Sequence, residues 1–188
     1  MDKQAVYQLF TNRGLWYEAD QFDSYEALVA TPTEQLRYPA ADTVNLFLRD
    51  DKRRDYYLLT VQAGKRADLK QFRRQHGTRQ LSFASEQDLM DILGLRPGTV
   101  NPIALLRDTR HNVQFFLDRN LLAPLGIVAL HPNDGTAILW MKTQDLLDLL
   151  EERLDDVEYG KDQILMLQLK PDEDGYYSLV EAGMQKVD

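Results

Sequence analysis

The chain contains no cysteine. That excludes disulfides, thiol nucleophiles and cysteine-ligated zinc, and it fits a reducing compartment. Histidine is scarce. His76, His111 and His131 are the only three, and they lack the spacing of a metal-ligand set. No apolar run is long enough to cross a bilayer. The start, Met1-Asp2-Lys3-Gln4, opens an amphipathic helix pattern and not a signal peptide, so the expected location is the cytoplasm. Internal repeats and low-complexity tracts are missing too. So is a Ser-His-Asp order with the strand-to-helix elbow that would mark a serine hydrolase.

What is present is ordinary in amount and uneven in placement. A chain of 188 residues, 44% hydrophobic and 28% charged, is one domain or one domain with an appendage. The net charge is −8, yet Arg49 to Arg79 holds ten Lys and Arg against four Asp. From Thr143 to Asp188 the balance reverses, with four basic residues against thirteen acidic ones. Such asymmetry suits a protein with one edge facing an anion. It equally suits a solvated helix and hairpin face.

Periodicity predicts helices over Asp2–Arg13, closed by Gly14, and over Asp68–His76, closed by Gly77. A third starts at Ser85 in capping-box form with Asp88, and a fourth follows Thr143 as N-cap. Thr43–Arg49 and Asp55–Gln62 make an antiparallel hairpin. Ile103–Leu106, Val113–Asp118, Gly126–Leu130 and Thr136–Met141 read as strands or strand entries. Ile164–Lys170 and Tyr176–Val180 read as a terminal hairpin. Strands outnumber helices, so the expected class is α+β with a mixed, largely antiparallel sheet. The acidic stretch Glu151–Glu158 gives the boundary: a domain over 1–154, then an acidic extension over 155–188 packed on it as a β-hairpin.

Two segments join backbone-positioning residues to polar ones. In Gly98-Thr99-Val100-Asn101-Pro102 a glycine allows close approach and a proline stiffens the far end. Such a loop keeps one shape and can turn N–H groups toward a ligand. It could equally be a plain helix-to-strand connector. In His131-Pro132-Asn133-Asp134-Gly135-Thr136-Ala137 a lone histidine ends an apolar run just before a turn, where a strand hands a side chain to a pocket. His131 fits a structural role as well as a pocket role.

These segments come in the order seen in the YbaK/ProX family. Thr43-Val44-Asn45-Leu46-Phe47-Leu48-Arg49-Asp50, Lys65-Arg66-Ala67-Asp68-Leu69-Lys70 and Leu81-Ser82-Phe83-Ala84-Ser85 precede the loop, and Leu117-Asp118-Arg119-Asn120-Leu121-Leu122 precedes the His131 turn. The resemblance covers roughly the first 150 residues, a whole domain by size, and is strongest to the free-standing ProX branch. It implies a barrel-like mixed sheet flanked by helices. The implied activity is trans hydrolysis of the ester of mischarged tRNA(Pro), Ala-tRNA(Pro) above all, with neither metal nor cofactor. The implied partners are that tRNA and prolyl-tRNA synthetase, with no DNA and no membrane.

The resemblance implies site residues as well. Gly98, Asn45 and His131 stand as catalytic candidates. Val44, Thr99, Val100, Asn101, Pro102 and Thr136 stand as substrate contacts. Arg49, Lys52, Arg53, Arg54, Lys65 and Arg66 form the expected tRNA edge, because an acceptor stem is a dense phosphate array. One departure bears on activity. The family carries Lys directly before the Asn-Leu-Phe run, and here that position is Val44, which has no donor and no charge. The alternative reading is therefore a weak or inactive module that binds tRNA ends or a synthetase. Sensing of a free amino acid or nucleotide in the same pocket is a third reading.

Overall fold

The computed structural model describes residues 1–154, 164–171 and 177–180. The elements follow from the sequence signals in order. Helix α1 (Lys3–Arg13) is capped by the Asp2 carboxylate, which accepts from Ala5 N, and is closed by Gly14 at φ 63°. Strand β1 (Tyr17–Gln21) and the short helix α2 (Tyr25–Ala30) follow. Strands β2 (Thr43–Asp50) and β3 (Tyr56–Gln62) form the expected hairpin, with Asn45 opposite Thr60 and Val44 opposite Val61. Helix α3 (Leu69–His76), strand β4 (Leu81–Phe83) and the capping-box helix α4 (Glu86–Asp88) come next. Helix α4 continues into a π-helical turn over Leu89–Leu93, ended by Gly94 in the left-handed region.

One expected strand is a helix. Pro102–Arg107 forms a 3-10 helix, with Ile103, Ala104 and Leu105 all buried. The apolar run was long enough for either form, and Pro102 at its start sets a φ suited to a first helical turn. Beyond it lie β5 (Val113–Asp118), β6 (Ile127–Leu130), β7 (Ala137–Lys142), α5 (Thr143–Leu154), β8 (Ile164–Pro171) and β9 (Tyr177–Val180).

The strands make two open sheets, not the barrel that the resemblance suggested. One is three-stranded in the order β1-β7-β6, and the other six-stranded in the order β4-β2-β3-β5-β8-β9. Five of the strand pairs are antiparallel, while β3–β5 and β5–β8 run parallel, so the α+β mixed class holds. Strand β8 joins the larger sheet beside β5 and pairs antiparallel with β9. The expected turn of that hairpin, at residues 172–176, lies outside the described residues. So does the segment 155–163, where the domain boundary was expected. The main core gathers Val6 and Phe10 of α1, Leu58 of β3, Phe115 and Leu117 of β5, Leu139 and Met141 of β7 and Leu146 of α5. A second cluster, Leu48, Tyr57, Leu59, Phe72 and Phe116, seats α3 on the other face of the large sheet. This alternation of burial fixes the register of β2 and β3, and with it the place of Asn45.

Candidate active site

The two segments that stood out in the sequence meet in space. Asn101 is fully buried, and its amide Nδ2 donates to the Asn133 Oδ1, 2.9 Å away, and to the backbone oxygen of Thr99 at 2.9 Å. Asn133, at φ 55°, in turn donates from Nδ2 to the Met1 carbonyl at 2.9 Å. That donation settles which end of the Asn133 amide faces Asn101. The loop at 98–102 and the turn at 131–136 are thus bridged side chain to side chain, across thirty-two residues of chain.

An aromatic ring reinforces the junction. A Cβ placed on Gly98 would lie 2.7 Å from Tyr25 Cζ, and one placed on Gly135 would lie 2.9 Å from Tyr25 Cδ2. The Tyr25 ring of α2 therefore rests against both glycines at a distance no side chain permits. Gly98 also sits at φ 85°, a region that strains any residue with a Cβ. Its glycine is required twice over.

The turn has further support. Asp134 accepts from the Thr136 N–H at 2.8 Å, from the Thr136 hydroxyl, and from Lys3 Nζ at 3.2 Å. The Thr136 hydroxyl holds the Asp134 carboxyl below the usual carboxylate range against partial burial, with the Thr136 N–H and Lys3 adding to it. Lys3 Nζ also donates to Thr136 Oγ1 at 3.0 Å. The first turn of α1 thus reaches into the site. His131 is half-buried, and its Nδ1 lies 3.1 Å from the Ala137 carbonyl. A carbonyl only accepts, so Nδ1 carries the proton when the ring is neutral and Nε2 is left as an acceptor.

The loop has donors to spare. Thr99 N–H and Oγ1 both turn back to the Arg96 carbonyl, at 3.2 and 2.9 Å. Among the described residues the N–H groups of Gly98, Val100 and Asn101 have no hydrogen-bond partner. Val100 is half-buried against the core, and Pro102 is buried. The Asn101 Oδ1 is buried with no partner.

The third expected wall is strand β2. Asn45 Oδ1 accepts from the hydroxyl of the fully buried Thr60 at 2.6 Å. Its link to the His131 side runs through Thr43, whose Oγ1 donates to the Ala129 carbonyl at 2.9 Å. Val44 is 42% exposed, so its side chain is presented outward from the start of β2.

The expected tRNA edge divides. Arg49 Nη1 donates to Asp88 within the α4 capping box, which ties it to the fold. The Lys65 side chain is 5% exposed, and its ammonium lies 2.5 Å from the buried Asp118 carboxylate. These two cations are engaged within the fold. Buried ion pairs of this kind are read from sequence as free charge because nothing local in the chain marks the partner. Lys52, Arg53, Arg54 and Arg66 are exposed. Tyr25, Lys3, Asn133 and Asp134 were missed as site residues. Only the last two lie in a segment that the sequence singled out.

A cleft of about 300 Å³ lined by Ala40, Gln62, Leu121, Pro124 and Gly126 holds no titratable side chain. The loop–turn junction, which gathers the chemistry, is the better candidate site. Among the described residues no cluster of three or more His, Asp and Glu could hold a metal ion, and no described helix is long and apolar enough to cross a membrane.

The sequence model of the aminoacyl-tRNA editing domain matches residues 24–149, a stretch that holds the loop, the turn and the Asn45 strand. The chain belongs to that family. The YbaK/ProX resemblance is thereby borne out. An editing-domain relative, the prolyl-tRNA editing protein ProX of Acetoanaerobium sticklandii, is 40% identical over 102 residues, covering 54% of this chain and 62% of its own. A second, the prolyl-tRNA synthetase associated domain-containing protein 1 of Danio rerio, is 37% identical over 111 residues, 58% of this chain and 60% of its own. The chain thus matches about three fifths of each relative's length. Among solved structures, one described as a candidate trans-editing enzyme for prolyl tRNA synthetase superposes with a TM-score of 0.58 at 18% identity, over 87% of this chain and 94% of its own. A hypothetical protein superposes equally well, at 17% identity over 86% and 96%. At those identities the likeness is one of fold.

Proposed function

We propose that this editing domain hydrolyses the aminoacyl ester of mischarged tRNA(Pro) in trans, with Ala-tRNA(Pro) as its first substrate. The observation that carries the reading is the braced 98–102 loop, whose Gly98, Val100 and Asn101 N–H groups have no partner among the described residues. An aminoacyl ester is already activated. Its hydrolysis needs a positioned water and donors where negative charge develops, not a covalent nucleophile. In this mechanism water adds to the ester carbonyl carbon, and loop N–H groups hold the oxyanion. The C–O bond to the terminal ribose then breaks, and the ribose oxygen leaves with a proton. His131 and Thr136 shape the amino-acid side of the pocket. His131 Nε2 is available to order the water. Asn45 lines the face toward β2.

The relatives' names support this choice of substrate. One is a prolyl-tRNA editing protein, and the other is associated by name with prolyl-tRNA synthetase. Docking on that synthetase would place the domain beside freshly charged tRNA. Incubation of the purified protein with Ala-, Cys-, Ser- and Pro-tRNA(Pro) tests the reading. Ester loss is expected on Ala-tRNA(Pro) and not on Pro-tRNA(Pro); decay at the buffer rate on all four would overturn it.

Val44 favours a second reading. Its exposed, donor-free side chain stands where the YbaK/ProX resemblance implies lysine. In that reading the domain binds tRNA ends without turnover. Hydrolysis that appears only in Val44→Lys would support it. Equal hydrolysis in both forms would leave the lysine dispensable here.

A further inference from the structure

Beside the exposed cations of the hairpin turn, the structure presents a second pair of arginines. Arg49 and Lys65 are consumed within the fold. Arg107, in contrast, is exposed, and its guanidinium makes no hydrogen bond or ion pair with the described residues. A Cβ on Gly94 would lie 2.6 Å from Arg107 Nη1 and 2.8 Å from Cζ, so the guanidinium sits close against that glycine. Gly94 is itself fixed at φ 66° as the end of the π-helical turn. A guanidinium with no carboxylate on it suits a phosphate, which it can meet with two N–H groups at once.

Arg107 lines a cleft of about 390 Å³ together with Arg110, Thr109 and Asn112. Arg110 is likewise exposed and unpaired among the described residues. Two carboxylates share this cleft, and each has a neutral partner. Asp108 is 3% exposed, and its Oδ2 accepts from Val113 N at 2.9 Å. Asp91 accepts from Gln87 Nε2 at 2.8 Å. Neither neutralises an arginine. The position also fits. Arg107 ends the 3-10 helix that Pro102 begins. At ~2 Å of rise per residue it stands roughly 10 Å from the loop. A strand whose terminal adenosine sat at the loop would bring a phosphate one or two nucleotides upstream to that distance.

We propose that Arg107, with Arg110, binds a backbone phosphate of the single-stranded 3′ end of tRNA. The proposal rests on the editing reading for the direction of the strand, but its test does not need hydrolysis. The probe is an unacylated RNA hairpin carrying an acceptor stem and a single-stranded CCA end, titrated across salt concentrations. For single strands each phosphate contact contributes about 0.7 to the slope of log affinity against log salt. Arg107→Gln should therefore bind more weakly and lower that slope by about 0.7, while Arg107→Lys should keep the slope. Arg74→Gln removes the same charge from the exposed face of α3 and should leave the slope unchanged. An unaltered slope in Arg107→Gln, an equal fall in both glutamine variants, or no binding of the hairpin by the wild type would overturn the proposal. The two readings separate cleanly. Ester loss with an Arg107-independent slope sinks the phosphate site alone. An Arg107-dependent slope without ester loss sinks the editing reading alone.

Discussion

The loop at 98–102 and the hairpin over β2 and β3 carry polar residues of the same kind, but they are held in opposite ways. The loop is held from outside. Tyr25 of α2, Asn133 of the turn and, through Asn133, the first residue of the chain all bear on it. The hairpin is held as the middle of a sheet, by seven register pairs of its own, by β4 and β5 on its two edges and by cross-strand contacts such as Thr60–Asn45. The cations Arg49 on β2 and Lys65 just past β3 are bound to Asp88 and Asp118. A loop built by distant contacts keeps unpaired N–H groups that a ligand can use. A hairpin paired on both edges uses its polar groups for folding.

Substitutions can break this comparison, and the largest effect is expected at the ion pair that follows the hairpin. Lys65→Met leaves the Asp118 carboxylate buried without its cation. It should cost about 3–5 kcal/mol of stability, read as a lower denaturant midpoint. A loss below about 1 kcal/mol would return Lys65 to the list of available cations. Next comes the loop. Asn101→Leu strips the donors from Asn133 Oδ1 and the Thr99 carbonyl, at a cost of about 1–3 kcal/mol. Hydrogen exchange should rise at residues 98–102 and 131–136 while β2 and β3 keep their protection. A uniform rise would mean that the two regions are not held independently. The smallest effect is expected at Val44, where Val44→Lys adds charge to an exposed strand position and should shift stability by no more than about 0.5 kcal/mol.

Much of this was legible in the sequence, for reasons that differ by residue. The Ser85 cap acts within three residues and the helix ends at Gly14 and Gly77 are equally local, so pattern reveals them. The β2–β3 hairpin follows from two apolar runs and a short charged turn. The Pro102–Arg107 segment was misread as a strand because a short buried run has the same composition in either form. The loop and the turn were each visible, but their junction was not. The Asn101–Asn133 bond spans thirty-two residues, and Lys3–Asp134 spans one hundred and thirty-one. Tyr25 carries no local signal at all, since its role is defined by the missing side chains of Gly98 and Gly135. Charge was misread in the same way, because Lys65 acquires its partner only when β3 and β5 lie side by side.

The central claim is that the glycine-braced junction of loop and turn is where the ester is hydrolysed. Gly98→Ala addresses it most directly, because a Cβ there meets Tyr25 at 2.7 Å on a backbone at φ 85°. The measurement is the single-turnover rate of Ala-tRNA(Pro) deacylation by wild type and Gly98→Ala, with thermal unfolding run alongside to confirm that the variant is folded. The account predicts ester loss with the wild type and a rate near the buffer background with the folded variant. A folded Gly98→Ala protein that deacylates at the wild-type rate would contradict it.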